Sequence, residues 1–303
     1  MKNTLKRKPQ ITSKPEKKQK TLQSLINLPP KVLSKTSGLH EFSQPEIHII
    51  SWNVNGLRAW IKKPGVLDFV NRAEFDIICF NETKLQEKHV IDFKTKFPQY
   101  PYQYWSCSTE RLGYSGTAIL SKVQPLSWKS GLPSHPNEGR LTLAEFPNFY
   151  LLSTYVPNTI SGRSKYRLEK WDQDLSQYIK NLEISGKGVI WIGDLNVINT
   201  DIDVYQLEGN ENCCGGTPEE RKSFHNIIQD NLIDTFRYLH PNTRQYTWFN
   251  TMRKVAKSRN EGWRFDMSLV SKSLISQVKD SKIYDQIYGS DHYPIELIMT
   301  NGI

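Results

Sequence analysis

The chain has 303 residues, with 40 Lys and Arg against 31 Asp and Glu, a formal charge of +9. Residues 1–46 hold nine lysines and Arg7 against Glu16, Glu41 and Glu46, a local +7, which leaves only +2 for everything that follows. No apolar run approaches the roughly eighteen residues of a membrane span, and no apolar segment follows Lys2, Lys6, Arg7 and Lys8 as a secretory leader requires. Cys79, Cys107, Cys213 and Cys214 are too few and too irregular for a disulfide framework or a C-x-x-C zinc site. These features describe a soluble protein with no membrane segment, from a reducing compartment, whose residues 47–303 suffice for one sizeable core.

Residues 1–46 are rich in Lys, Pro, Ser, Thr and Gln and have no aromatic before Phe42. Such a segment buries too little surface to offset ordering entropy, so a disordered basic tail is expected. Within it Lys6-Arg7-Lys8 and then Lys17, Lys18 and Lys20 resemble a bipartite nuclear import signal, which predicts the nucleus. A tail that merely binds nucleic acid loosely is the plainer alternative; a mitochondrial presequence fits less well, because such segments favour Arg over Lys.

From Ile47 short apolar runs alternate with polar, helix-like stretches. Strands are predicted at Ile47–Trp52, Ile77–Phe80, Thr117–Leu120, Leu141–Glu145, Tyr150–Tyr155, Val189–Ile192, Phe265–Val270 and Ile295–Met299. Helices are predicted at Gly65–Ala73, Ser164–Leu182 and Pro218–Asp230, the last opening on Thr217 as N-cap with Pro218 behind it. The pattern is that of one mixed α/β domain spanning 47–303.

Most of these strands adjoin polar residues of the kinds that bind metal or phosphate. Asn53-Val54-Asn55-Gly56 follows the first, Glu82-Thr83-Lys84 the second, Tyr155-Val156-Pro157-Asn158 the fifth and Asp194-Leu195-Asn196 the sixth. Asp266 falls at the start of the seventh, and Asp291-His292 precedes the last. Singly, each asparagine reads as a turn residue, Glu82 as a surface carboxylate and Asp194 as a helix cap. Their joint occurrence at strand ends is what those readings leave unexplained, since sites are built from loops at one edge of a sheet.

These motifs, with Trp52, Leu57-Arg58, Gly193, Val197, Gly262-Trp263-Arg264-Phe265 and Ser290, resemble the exonuclease III family of apurinic/apyrimidinic endonucleases, within the endonuclease/exonuclease/phosphatase superfamily. Six motifs stand in the family's order from about Ile47 to the C-terminus. The resemblance implies an α/β four-layer sandwich of two packed mixed β-sheets flanked by helices. It also implies Mg²⁺, with Mn²⁺ able to substitute, held chiefly by Glu82 with Asn55 and Asp291 nearby; if the ion moves, Asp194, Asn196 and His292 become further ligands. Asp194 would orient or deprotonate the attacking water and Asn196 would hold that water or a phosphate oxygen. His292, paired to Asp266, would present an imidazolium, although Asp194 and His292 both remain candidates for the base. Tyr155 and Asn158 would grip the phosphate, supported by Asn53.

By the same resemblance Arg58, Lys63, Tyr114 and Arg140 would contact backbone phosphates, and Asn210 could hold another. Trp248 or Phe249, with Trp263 and Phe265, would wall a pocket for a base-free sugar flipped from the duplex. Two departures fall in that pocket: Cys213-Cys214-Gly215-Gly216 replaces a usual Asn-Ala-Gly-Phe, and Phe265 replaces an aliphatic residue, expected to refill volume lost at Gly216. The implied function is that of a monomeric repair endonuclease cutting duplex DNA 5′ to an abasic site. The alternatives are a primary 3′–5′ exonuclease and a catalytically silent DNA-binding protein.

Overall fold

The computed structural model describes residues 40–301 apart from Ala73, Ser161 and Lys254. The lysine clusters of the expected tail, Lys6 to Lys20, lie outside the described residues. Composition placed the tail's end at Glu46, yet Phe42 packs 5.5 Å from Phe146 and 6.5 Å from Phe149, and Glu46 already opens the first strand. Among the described residues no helix is long and apolar enough to cross a membrane.

The strands are β1 (Glu46–Asn53), β2 (Ile77–Asn81), β3 (Tyr102–Ser106), β4 (Thr117–Ser121), β5 (Ser127–Ser130), β6 (Leu141–Glu145), β7 (Phe149–Tyr155), β8 (Gly188–Asp194), β9 (Leu232–Asp234), β10 (Trp248–Phe249), β11 (Gly262–Trp263), β12 (Asp266–Ser271), β13 (Val278–Ile283) and β14 (Ile295–Thr300). They form two six-stranded sheets, in the orders β13-β14-β1-β2-β4-β3 and β9-β12-β8-β7-β6-β5, plus the small β10-β11 pair. Each large sheet has one parallel pair near its middle, β1 with β2 and β7 with β8, and antiparallel pairs elsewhere. The two sheets thus repeat one pattern.

Side-chain alternation along the central strands explains the layering. In β1, Ile47 and Ile49 face the space between the sheets while Ile50 and Trp52 face the outer helical layer. In β8, Ile190 and Ile192 join that same inter-sheet core, whereas Val189 and Trp191 pack with Trp171, Leu175, Ile179 and Phe224 of the outer helices. Strands covered on both faces read as continuous apolar runs, which is why they were visible in the sequence. Each such fully buried side chain contributes about 1.5–3 kcal/mol.

The second outer layer rests on two helical segments. The predicted helix from Ser164 is interrupted by a π-helical turn at Arg167–Trp171 before continuing as Asp172–Glu183. The other segment, Pro218–Ile228, carries a reciprocal capping box between Thr217 and Glu220. Both features buttress the site.

Candidate active site

Register brings the polar strand ends to one edge of the sandwich. Asp194 at the end of β8 pairs with Tyr155 at the end of β7 on one side and with Asp266 at the start of β12 on the other. In the facing sheet Asn53 pairs with Asn81, and Glu82 follows directly. His292 precedes β14, its carbonyl accepting the indole N–H of Trp52 at 3.0 Å.

Asn53 joins the two halves. Its buried side-chain amide donates to Glu82 Oε1 at 3.0 Å and to Asp194 Oδ2 at 2.8 Å, while its Oδ1 accepts from the Asn55 backbone at 3.0 Å. Asp194 Oδ1 accepts the backbone N–H of Asn196 at 3.0 Å, and the Asn196 amide donates to the Val156 carbonyl at 2.9 Å. Below this turn the guanidinium of Arg167, 1% exposed, donates to the carbonyls of Asn196 (2.6 Å) and Leu195 (2.9 Å) and pairs with Glu220. The π-helical turn delivers Arg167 here. Nothing local in the sequence marked it.

His292 Nδ1 lies 2.7 Å from Asp266 Oδ2, and its Nε2 lies 3.9 Å from Asp194 Oδ2. Burial alone disfavours the charged ring, but Asp266 first and Asp194 second outweigh it and push His292 up to about 10. Asp194 moves the same way, because burial and the charges of Asp266 and Glu82 outweigh the attraction of His292. Both members of the pair thus hold protons more tightly than usual, His292 through its carboxylate neighbours and Asp194 through burial among them. Burial also raises the Tyr155 phenol well above its usual range, aided by Glu82, so it remains a hydrogen-bond donor.

Two groups here could hold a cation. Ligand atoms of Asp194, Asp266 and His292 lie within 4.8 Å of one another, and Asp266 Oδ1 is buried without a partner. His292 Nδ1 is engaged by Asp266, which leaves Nε2 as the one ring nitrogen this group could offer a cation. The second group is all oxygen. Lys84 Nζ sits 2.8 Å from Glu82 Oε2 and also donates to Asn55 Oδ1, while the Asn55 amide donates to Asp291 Oδ1 at 3.0 Å. The ammonium occupies Glu82 Oε2 and Asn55 Oδ1, and carboxylate and amide oxygens of this kind are the donors a hard cation takes.

The aromatic pocket adjoins this edge. A cavity of about 530 Å³ is lined by Tyr155, Asn158, Asp194, Asn210, Trp248, Trp263, Phe265 and His292 among others. Trp248 lies 5.5 Å from Phe265, which lies 5.3 Å from Trp263. Phe249, the alternative to Trp248, is buried in the inter-sheet core instead. The refilling expected of Phe265 falls one residue earlier: a Cβ on Gly215 would lie 2.7 Å from Phe265, whereas one on Gly216 would meet Asn210 at 2.9 Å and Trp263 at 3.1 Å.

Of the expected phosphate contacts, Arg58 is exposed on the short helix Leu57–Trp60, and Lys63 is exposed with Nζ donating to the Gly289 carbonyl at 2.7 Å. Tyr114 is half-buried, with the guanidinium carbons of Arg111, Arg140 and Arg163 at 4.6, 5.4 and 5.4 Å from its ring. The placement corrects the expectation for Arg140. It is 3% exposed, donates to Glu138 and to the Tyr155 carbonyl, and stacks 4.8 Å from the Tyr155 ring, so it positions Tyr155 rather than meeting solvent. Arg111 and Arg163 are the basic residues that sequence reading missed at this spot. Arg264, read as part of a pocket motif, is wholly buried behind the pocket between Asp203 and Asp234.

Residues 50–292 match the endonuclease/exonuclease/phosphatase family. The chain is 40% identical over 293 residues to the DNA repair nuclease APEX1 of Danio rerio, covering 95% of this chain and 92% of that protein. It is 39% identical over 256 residues to an exodeoxyribonuclease of Bacillus subtilis, covering 83% and 98%. A crystal structure of the AP endonuclease LMAP from Leishmania major superposes with a TM-score of 0.76 at 29% identity, over 84% of this chain and 88% of that one. With its carboxylates, its Asp266–His292 pair and its sandwich all in the order the motifs implied, the chain belongs to the endonuclease/exonuclease/phosphatase family, among the exonuclease III-type AP endonucleases.

Proposed function

We propose that this protein is a DNA repair nuclease that hydrolyses the phosphodiester 5′ to an abasic site in duplex DNA, leaving a 3′-hydroxyl and a 5′-deoxyribose phosphate. The observation that carries this reading is the convergence of Asp194, the Asp266–His292 pair, Glu82 and Tyr155 on one edge of an aromatic-walled cavity of about 530 Å³. A hydrolytic edge without that cavity would suit many phosphodiesters; the cavity suits a sugar with no base.

Mg²⁺, for which Mn²⁺ can substitute, held by the oxygens of Glu82, Asn55 and Asp291, supplies relief of charge on the phosphoryl oxygens when bound. Asp194 orients the attacking water and takes its proton; its raised affinity for protons, from burial among carboxylates, suits it to accept one near neutrality. The His292 imidazolium, held in orientation by Asp266, donates to a phosphate oxygen, and the Tyr155 phenol donates to another. Asn158 and Asn210 line the same cavity and hold flanking oxygens. Arg58, Lys63 and the Tyr114 loop contact backbone phosphates without reading sequence. The protein acts as a monomer, and its basic N-terminal residues address it to the nucleus and add salt-sensitive DNA contact.

The test is incision of a duplex carrying one abasic analogue, with and without Mg²⁺, by wild type and Glu82→Ala, beside a recessed 3′ end as control. A metal-dependent nick 5′ to the lesion, lost in Glu82→Ala, is expected. Absence of any metal-dependent nick refutes the reading, and degradation of the recessed end alone makes the protein primarily an exonuclease.

A further inference from the structure

Cys213 and Cys214 have no part in the chemistry above, yet both line the catalytic cavity, Cys213 exposed and Cys214 half-buried. The loop that carries them is fixed to the cavity wall. Gly215 donates its N–H to Glu220 Oε2 at 2.8 Å, and its Cα approaches Phe265 so closely that a Cβ would lie 2.7 Å from the ring. The next residue, Gly216, approaches Trp263 in the same way, at 3.1 Å. The two cysteines therefore immediately precede the residues packed on the rings that wall the pocket, and Cys213 Sγ lies 3.7 Å from Asn210 Oδ1 within it.

Adjacent residues have Cα atoms about 3.8 Å apart, below the separation of about 4.4–6.8 Å that a disulfide normally spans. The pair is thus ill-suited to close on itself. What adjacency and a shared cavity do offer is two thiols within reach of one larger soft atom, and paired thiolates select soft, thiophilic centres. Neither other cysteine offers this: burial pushes Cys79 up to about 12 and Cys107 up to about 11, and neither has a neighbouring thiol in the sequence.

We propose that Cys213 and Cys214 form a dithiol binding site for trivalent organoarsenicals, and that its occupation closes the cavity to DNA. With phenylarsine oxide, two S–As bonds form, the As–O bond breaks, and both thiol protons leave with the oxygen as water. Arsenic stays trivalent, so no oxidant or reductant is required. The blockade rests on the repair reading; the binding does not.

The full chain is treated with phenylarsine oxide in the absence of DNA and weighed intact by mass spectrometry. One phenylarsenic group per chain is expected, stable to excess glutathione and removed by dimercaptopropanol. Cys213→Ser and Cys214→Ser should each abolish the stable adduct, and Cys107→Ser should keep it. No stable adduct, or one that survives Cys213→Ser, overturns the site. Incision of the abasic duplex should fall in step with labelling and return with dimercaptopropanol; a fully labelled chain with undiminished incision overturns the blockade. Because labelling is read without DNA, failure of the dithiol site and failure of the repair reading are separate results.

Discussion

Asp266→Asn tests the division of labour between Asp194 and His292. The substitution keeps the shape and an acceptor oxygen for His292 Nδ1 but removes the negative charge 2.7 Å away. Burial opposes the imidazolium, and Asp266 is first among the groups that overcome it, followed by Asp194; together they carry His292 from 6.5 to about 10. At about 1.4 kcal/mol per unit, that rise reflects roughly 5 kcal/mol favouring the charged ring. A group whose value is raised in the folded state is charged below that value and loses its charge as pH climbs through it. Activity that needs the imidazolium should therefore hold to high pH in wild type. In Asp266→Asn the alkaline fall of kcat/KM should begin at least about one unit lower, with kcat reduced by about a hundredfold or more. The measurement is the pH profile of kcat/KM on an abasic duplex at constant ionic strength and saturating metal. Coincident alkaline limbs in the two proteins would show that His292 does not act as the charged donor, whatever the loss of rate.

Arg264→Met should cost about 3 kcal/mol in urea unfolding, because it removes the guanidinium shared by two buried carboxylates and leaves Asp203 with Arg237, and Asp234 with Asn199 and the Arg237 backbone; Arg264 is wholly buried and donates to Asp203 at 2.6 and 2.9 Å and to Asp234 at 2.6 and 3.2 Å. The loss should depend on pH: Arg264 first and Arg237 second, against the cost of burial, hold Asp203 down to about 2 from 3.8, so about 2 kcal/mol of wild-type stability, the larger part from Arg264, is present above the unfolded value and fades as pH falls toward 2. The gap between the proteins should narrow over that interval, and a gap below about 1 kcal/mol at neutral pH would refute the account. Lys84→Ala should tighten Mg²⁺ or Mn²⁺ binding to the DNA-free protein, because the ammonium competes for the oxygens of Glu82 and Asn55. Since Lys84 is one-third exposed, the pair is worth at most about 1 kcal/mol, or about a fivefold gain in affinity by calorimetry; unchanged or weaker binding would contradict the competition.

The strands that present the site were legible because they are covered on both faces and end in residues whose type betrays their chemistry: β2 runs Ile77–Asn81 into Glu82, and β8 runs Gly188–Asp194. Edge strands were not. Ser127–Ser130 is exposed throughout and Val278–Ile283 is mostly polar, so neither shows the apolar alternation that marks a strand. Phe249 and Trp248 were indistinguishable as neighbours until pairing with Trp263 and Gly262 turned one ring to the pocket and the other to the core. The charged scaffold was hidden for a different reason. Arg264 meets Asp203 across 61 residues, and Arg167 meets Glu220 across 53, separations at which no local spacing signals contact. Arg140 was given a phosphate contact by resemblance alone; its burial and its stacking on Tyr155 are matters of packing that the motif does not carry.

Backbone conformation binds three of the motifs into one device. Asn55, Glu82, Lys84, Ser115 and Asn196 have φ between 46° and 52°, the left-handed region that non-glycine residues seldom adopt. Asparagine tolerates it, but Glu82 and Lys84 do so at about 1–3 kcal/mol each unless their surroundings hold them there. The surroundings are two neighbouring loops. Gly56 and Leu57 donate to the carbonyls of Glu82 and Thr83 at 2.8 and 2.9 Å, while Thr83 and Lys84 donate to those of Gly116 and Ser115 at 3.0 and 2.8 Å. Gly116, at φ 94°, is pressed so closely that a Cβ would lie 2.2 Å from Thr83 Oγ1. The Asn55-Gly56 turn and the Ser115-Gly116 turn therefore both hold the Glu82-Thr83-Lys84 segment, one through its carbonyls and the other through its N–H groups. Residues in the Tyr114 loop, beside the Arg111, Arg140 and Arg163 cluster, are thereby coupled to the carboxylate that would hold the metal, so on the proposed function contact with DNA and the geometry of the oxygen site become one mechanical problem.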